Sequence, residues 1–191
     1  YLKLRSKYLS TQNKQSTLFY THGEYPGHSQ NSGKCLKKEK EKHFQGMKKA
    51  NNQMREDVKI LKKNNPNAII VIVGDHGPYL TKNCTALKKY KKKEINRLDI
   101  QDRYGAFLAI HWPKNLQTNS YNIQIIQDIF PAILGNITSN KKLFDELKLD
   151  RESLYDYKER IAGVNVSNGI IVGGEDDKKP LFNNRSYILN E

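Results

Sequence analysis

The sequence predicts an α/β fold, and three segments indicate it. Residues 68–73 are six consecutive apolar residues, most of them β-branched, and residues 105–112 form a second apolar segment. An unbroken apolar run of the first kind is typical of a strand buried on both faces of a sheet. Residues 36–63 instead have the periodicity of an amphipathic helix. We therefore expect helices packed on a sheet.

The N-terminal part of the chain is predicted to contain a linker-like segment, a short strand and a loop. Residues 1–16 are polar and are expected to be linker-like. Residues 17–22 are predicted to form a short strand. Residues 23–34 contain three glycines and one proline, which indicates a loop.

The long helix predicted over residues 36–63 has its apolar side chains on one side. These are Phe44, Met47, Met54, Val58 and Leu61. We expect this side to face the core, and Asn64 and Pro66 to end the helix. His43 is expected to be solvated.

Elements after the first apolar strand are predicted from composition and periodicity. They are a long Lys-rich loop at 78–99, a strand at 105–112, a helix at 123–134 interrupted near Pro131, a short helix at 141–147, and a hairpin or edge pair from 164–172 and 181–189.

Gly74-Asp75-His76-Gly77 directly follows the first apolar strand. Loops at the carboxyl ends of strands are where α/β proteins bind ligands, and the glycines allow close backbone approach. An Asp oxygen beside a His nitrogen suits zinc or manganese. The alternative is an ordinary turn in which Asp75 caps the next segment and His76 has no role.

Several motifs follow one another in a recognisable order. Asn64-Asn65-Pro66-Asn67 precedes the strand that ends in Asp75-His76-Gly77, residues 102–110 follow, and residues 19–22 and 26–29 lie upstream. This series resembles the alkaline phosphatase/sulfatase superfamily. The closest resemblance is to the bacterial sulfatase-like branch that includes phosphoethanolamine transferases and lipoteichoic acid synthases.

The resemblance implies a central, largely parallel sheet with helices on both faces. Members of this family carry their Thr, Ser or modified Cys nucleophile, and another acidic metal ligand, in an N-terminal portion. Neither is visible before residue 17. We therefore expect residues 17–191 to form the C-terminal half of a sulfatase-like catalytic domain. Its sheet would be incomplete at the N-terminus, and the isolated chain would have no turnover.

The resemblance also implies roles for individual residues. Asp75 and His76 would bind a divalent metal ion, which could be zinc, manganese, calcium or magnesium. His28 would contact the substrate and stabilise charge or protonate the leaving oxygen. His22 is a further catalytic candidate, with a packed or hydrogen-bonded side chain as the alternative.

Arg103 is the remaining candidate. It is expected to contribute to catalysis by binding an anionic substrate bidentately. A salt bridge with neighbouring Asp102 is the equally weighted alternative.

The function implied is a metal-dependent sulfatase-like transferase. It would move a phosphate-linked group from an anionic donor to a cell-envelope glycan or lipid. We would then expect a bacterial inner-membrane protein with an exported catalytic domain, anchored through a missing N-terminal part. A sulfatase or phosphodiester hydrolase is one alternative, and a non-enzymatic basic binding module is another.

The net charge of +13 bears on the partners. Lysines cluster at 37–42 and 88–93, but no stacking aromatics alternate with them, which argues against nucleic acid. An anionic glycan, lipid headgroup or membrane surface fits the charge better. Cys35 and Cys84 could form one disulfide, which would suit an exported protein, or remain two thiols.

Overall fold

The helices and strands divide between two units of the chain. Unit 1 comprises Tyr1–Ile72 and Leu108–Gln117, and unit 2 comprises Val73–Phe107 and Thr118–Glu191. The structure is a computed structural model. It describes residues 7–11, 15–23, 25–27, 36–81, 90–116, 118–119, 121–147, 164–167 and 169–182.

Unit 1 is built on one long helix and a pair of strands. Helix α1 spans Lys37–Asn64, strand β1 spans Ile70–Val73 and strand β2 spans Leu108–His111. Val73, the last residue of β1, is counted with unit 2. β1 and β2 pair as a two-stranded sheet. The predicted helix over 36–63 and the predicted strand at the second apolar segment are thus confirmed, although the strand is shorter than predicted.

The buried stripe of α1 is not the predicted one. The residues buried along the helix are Glu39, His43, Gly46 and Ala50. Phe44 and Met47 were expected in the core but are 53% and 40% exposed. His43 was expected to be solvated but is only 5% exposed. Polar and small residues occupy the buried stripe because the chain at Pro26 and Gly27 packs against it.

Unit 2 contains short helices and a hairpin. Its elements are a 3-10 turn at Lys92–Glu94, helix α2 at Arg97–Tyr104, a 3-10 turn at Ile126–Asp128, helix α3 at Ile129–Ile137, helix α4 at Lys141–Glu146, and strands β3 at Asn165–Ser167 and β4 at Ile170–Val172. β3 and β4 are antiparallel, with Val166 opposite Ile171. The predicted short helix at 141–147 is confirmed.

The core of unit 2 lies between α2 and the hairpin. Its buried cluster consists of Ile95, Ile100, Val164, Ile171 and Leu181. The side-chain amide of Gln101 donates to the backbone carbonyl of Leu181 at 2.8 Å, and the Tyr104 hydroxyl donates to the side-chain oxygen of Asn165 at 3.2 Å. These bonds tie α2, the helix that carries Arg103, to β3 and to the segment that follows the hairpin.

The predicted fold, with a central, largely parallel sheet and helices on both faces, is wrong. The described residues form two two-stranded sheets and no central sheet. β1 is not buried on both faces, because Ile70 is 9% exposed whereas Val73 is 46% exposed. The apolar run encodes strand propensity, but it does not encode how many strands or helices cover that strand.

Three smaller predictions also fail. Residues 17–22 form no strand. Residues 97–104, which begin inside the predicted loop at 78–99, form helix α2. Pro131 does not interrupt its helix, because it lies in the first turn of α3, where proline costs no hydrogen bond.

No helix among the described residues is both long and apolar enough to cross a membrane.

Candidate functional site

The turn that follows β1 is fixed to α2 by backbone hydrogen bonds. The amide of Gly77 donates to the carbonyl of Arg103 at 3.1 Å, and the amide of Tyr79 donates to the carbonyl of Asp102 at 3.3 Å. A Cβ atom at Gly77 would overlap the Asp102 carbonyl, lying only 2.6 Å from its carbon. Glycine is therefore required for this close approach.

Asp75 and His76 lie side by side at the open end of this turn. The Asp75 Oδ1 and His76 Nε2 atoms are 3.7 Å apart, with side chains 82% and 32% exposed. The His76 Nδ1 atom is 2.8 Å from the Gly77 carbonyl oxygen. Because a carbonyl only accepts, Nδ1 carries the proton in this hydrogen bond, and Nε2 is the ring nitrogen that faces Asp75.

An aromatic stack supports the imidazole. The His76 and Tyr79 rings are nearly parallel, with an interplanar angle of 7° and centroids 4.8 Å apart. The Arg103 guanidinium carbon lies 4.2 Å from the centroid of the Tyr79 ring. Tyr79 has a φ of 60°, in the left-handed region that costs a non-glycine residue about 1–2 kcal/mol. The contacts with His76 and Arg103 help to hold this conformation.

Arg103 places a positive charge next to this stack. Its side chain is buried, and burial lowers the pKa of the guanidinium from its ordinary value. Tyr79 and Asp102 act in the opposite direction, as do Tyr90 and Asp99. Arginine still keeps its proton at neutral pH, because its ordinary pKa is so high.

Asp102 holds the end of the turn. Its Oδ2 atom accepts from the backbone amide of Thr81 at 2.9 Å and from the Thr81 hydroxyl at 3.1 Å. One α2 residue therefore fixes the loop while the next one, Arg103, contacts Tyr79.

The structure thus brings three of the predicted site residues into one local arrangement. Asp75 and His76 adjoin each other, and Tyr79 links His76 to Arg103. His22 is exposed and belongs to unit 1. His28 lies outside the described residues, as do Cys35 and Cys84.

A metal ion would find two protein ligands here. Among the described residues, no group of three His, Cys, Asp or Glu side chains is arranged to hold a metal. An exposed carboxylate and an oriented imidazole nitrogen nevertheless fit a divalent ion chemically. Further coordination positions would be filled from outside this pair.

Tyr79 and the anchoring role of Asp102 were missed at the sequence level. Tyr79 gave no signal, because its contact with Arg103 joins positions far apart in sequence. The anchoring role of Asp102 depends on helix α2, and there a signal exists. Asn96 and Asp99 have the spacing of a capping box, which marks the start of a helix at Arg97.

Comparisons with known proteins give no match: no family model, curated protein or solved structure matches the chain. The sulfatase-like resemblance therefore stays a prediction from sequence motifs.

Proposed function

We propose that the chain is part of a metal-dependent enzyme that acts on phosphate or sulfate esters, with Asp75 and His76 as ligands of one divalent ion. The spacing of their donor atoms carries this proposal. Ligands bound at about 2.0–2.2 Å from one ion lie roughly 3–3.6 Å apart. The observed 3.7 Å between Asp75 Oδ1 and His76 Nε2 is close to that separation.

The orientation of His76 supports the same role. Metal-binding histidines commonly donate their second N–H to a carboxylate or backbone carbonyl, which fixes the ring. His76 makes this bond to Gly77, so Nε2, the ring nitrogen that faces Asp75, would be the one to bind an ion. The strained backbone of Tyr79 is a second sign, since such strain is concentrated at functional sites.

Arg103 gives the site a preference for anions. Its buried guanidinium keeps a positive charge near the turn, where fixed charges stabilise an anionic reacting group without reorganisation. A bound divalent ion would polarise an ester oxygen and lower the pKa of a hydroxyl nucleophile. That nucleophile, and a proton donor such as the predicted His28, would come from outside the turn.

The reaction we favour is transfer of a phosphate-linked group onto a cell-envelope glycan or lipid, by an exported domain at the inner membrane. Hydrolysis of a sulfate ester or a phosphodiester is the alternative. The two differ in whether an alcohol or water accepts the transferred group. A product analysis of the whole enzyme, with and without added acceptor alcohol, would distinguish them.

Metal binding tests the proposal directly. The chain is titrated with Zn²⁺ and with Mn²⁺ in a calorimeter. The metal affinity should fall at least about tenfold in Asp75→Asn and in His76→Ala. Glu56→Gln removes one exposed carboxylate from α1 and should leave the affinity unchanged. Equal affinity in all four proteins would refute the metal site.

A further inference from the structure

Unit 1 contains a widely open surface cavity of about 570 Å³ beside helix α1. Residues 25–27 form one side of it and the N-terminal half of α1 forms the other. Because it opens widely to solvent, a ligand bound there would stay partly exposed. It involves no residue of the Asp75–His76 turn.

The spacing of residues along α1 explains the chemistry of the cavity wall. The buried stripe passes through positions 39, 43, 46 and 50. The neighbouring stripe, one residue earlier at each step, consists of Lys38, Lys42, Gln45 and Lys49, and all four line the cavity. Residues at this spacing lie on one helix face. Three ammonium groups therefore border one cavity.

Two contacts place the loop against the helix. The His43 Nδ1 atom lies 3.2 Å from the carbonyl oxygen of Gly27. A Cβ atom at Gly46 would come within 2.6 Å of the Pro26 carbonyl oxygen, so only glycine permits this approach. The buried His43 and Gly46 thus form the floor of the cavity.

An aromatic ring completes the cavity. Tyr25 is 44% exposed, and the Lys49 ammonium lies 5.3 Å from the centroid of its ring. Glu41 and Gln45 also line the cavity. The lining thus combines an aromatic face, acceptors for hydroxyl donors, and a surplus of positive charge.

We propose that this cavity binds a sulfated or phosphorylated sugar. The lysines would pair with the anionic groups, Glu41 and Gln45 would accept hydrogen bonds from sugar hydroxyls, and the Tyr25 ring would pack on the apolar face of the sugar. A polyanion that lacks sugar hydroxyls fits less well, because it would offer Glu41 and Gln45 no hydrogen-bond donors. The proposal depends on unit 1 alone, so it holds whether or not Asp75 and His76 bind a metal.

Binding of defined oligosaccharides tests this site. The probes are dextran sulfate, dextran phosphate and neutral dextran oligosaccharides of equal length, with a single-stranded oligonucleotide as a fourth ligand. Binding of either charged dextran should exceed that of neutral dextran and of the oligonucleotide, and should weaken as NaCl is raised. A preference between the two charged dextrans would identify the anionic group.

Matched variants localise the binding. The triple variant Lys38→Gln, Lys42→Gln and Lys49→Gln should bind dextran sulfate at least about tenfold more weakly, since each lost charged hydrogen bond is a strong one. The control triple Lys48→Gln, Lys59→Gln and Lys63→Gln removes the same charge from exposed positions of the same helix outside the cavity. It should change the affinity less than about threefold.

A footprint on the unaltered protein makes the test independent of folding in the variants. Acetylation of Lys38, Lys42 and Lys49, read by mass spectrometry, should slow when dextran sulfate is bound, while acetylation of Lys48, Lys59 and Lys63 should not. The proposal would be overturned if both sets of lysines were protected equally or if both triple variants bound dextran sulfate equally weakly. It would also be overturned if the oligonucleotide bound as tightly as the charged dextrans or more tightly. The proposal would also be overturned if neither dextran sulfate nor dextran phosphate bound.

Discussion

Gly77 determines how closely the Asp75–His76 turn approaches helix α2. It is buried, and any side chain there would meet the Asp102 carbonyl. The same glycine supplies the carbonyl that orients His76. One position therefore serves the packing of the turn and the geometry of the candidate metal ligands.

We expect Gly77→Ala to destabilise the protein by about 1–3 kcal/mol, the usual cost of forcing extra volume into a packed site. The chain would have to separate the turn from α2 to make room for the methyl group. Gly74→Ala is the control, because the nearest atom to its added Cβ is 3.6 Å away. Urea denaturation of both variants measures the difference. Equal stability of the two would show that the turn yields without cost.

At the residue scale, the sequence drew attention to side chains that lie together but misplaced a buried one. Asp75, His76 and Arg103 stood out because their charge and position suggested chemistry, and the structure places them in one arrangement. His43 was wrongly expected in solvent because lysines surround it in the sequence. Those lysines occupy other faces of the helix, and His43 itself is buried. Burial of one helical position depends on what packs there, and that partner lies 16 residues away at Gly27.

Among the elements, α2 is the one that organises unit 2. It begins at a reciprocal cap in which the Asp99 amide donates to the Asn96 side chain and the Asn96 amide donates to the Asp99 carboxylate, both at 3.0 Å. The same helix delivers Asp102 to the Thr81 end of the turn and Arg103 to Tyr79. Its start therefore matters to the candidate site.

We expect Asn96→Ala to weaken α2 locally by about 1 kcal/mol, the typical cost of a lost N-cap. Amide hydrogen exchange should then accelerate in α2 by roughly fivefold, while the amides of α1 in unit 1 keep their rates. Asn96→Asp should behave like the native protein, because aspartate caps equally well. Faster exchange in Asn96→Asp as well, or no acceleration in Asn96→Ala, would contradict a capping role.

The sequence predicted the long helix α1 better than it predicted the sheet. The period of α1 was sufficient to place it within one residue at each end. The position of a strand can also be predicted from its apolar run. Its partner strands cannot be predicted in this way, because pairing joins segments that are distant in the sequence. The apolar run at Ile70–Val73 forms a strand that pairs with β2 and is only partly buried. An apolar run of this kind fits such a strand as well as it fits the central strand of a large sheet.

At the scale of the whole molecule, charge is the dominant property. The net charge of +13 comes from 33 Lys and Arg against 20 Asp and Glu. Like charges repel across a folded chain and disfavour the compact state. Ion pairs offset this only in part; Asp176, for example, pairs with both Arg97 and Lys179.

Salt should therefore stabilise this protein. The Debye length falls from about 30 Å at 0.01 M to about 10 Å at 0.1 M salt, so added NaCl screens the repulsion between distant lysines. We expect Tm to rise between 10 and 300 mM NaCl, by about 2–4 °C for each kcal/mol of repulsion removed. The triple variant Lys48→Gln, Lys59→Gln and Lys63→Gln carries three fewer charges and should show a smaller rise. If Tm instead fell with salt, local ion pairs such as those of Asp176 would outweigh the net repulsion.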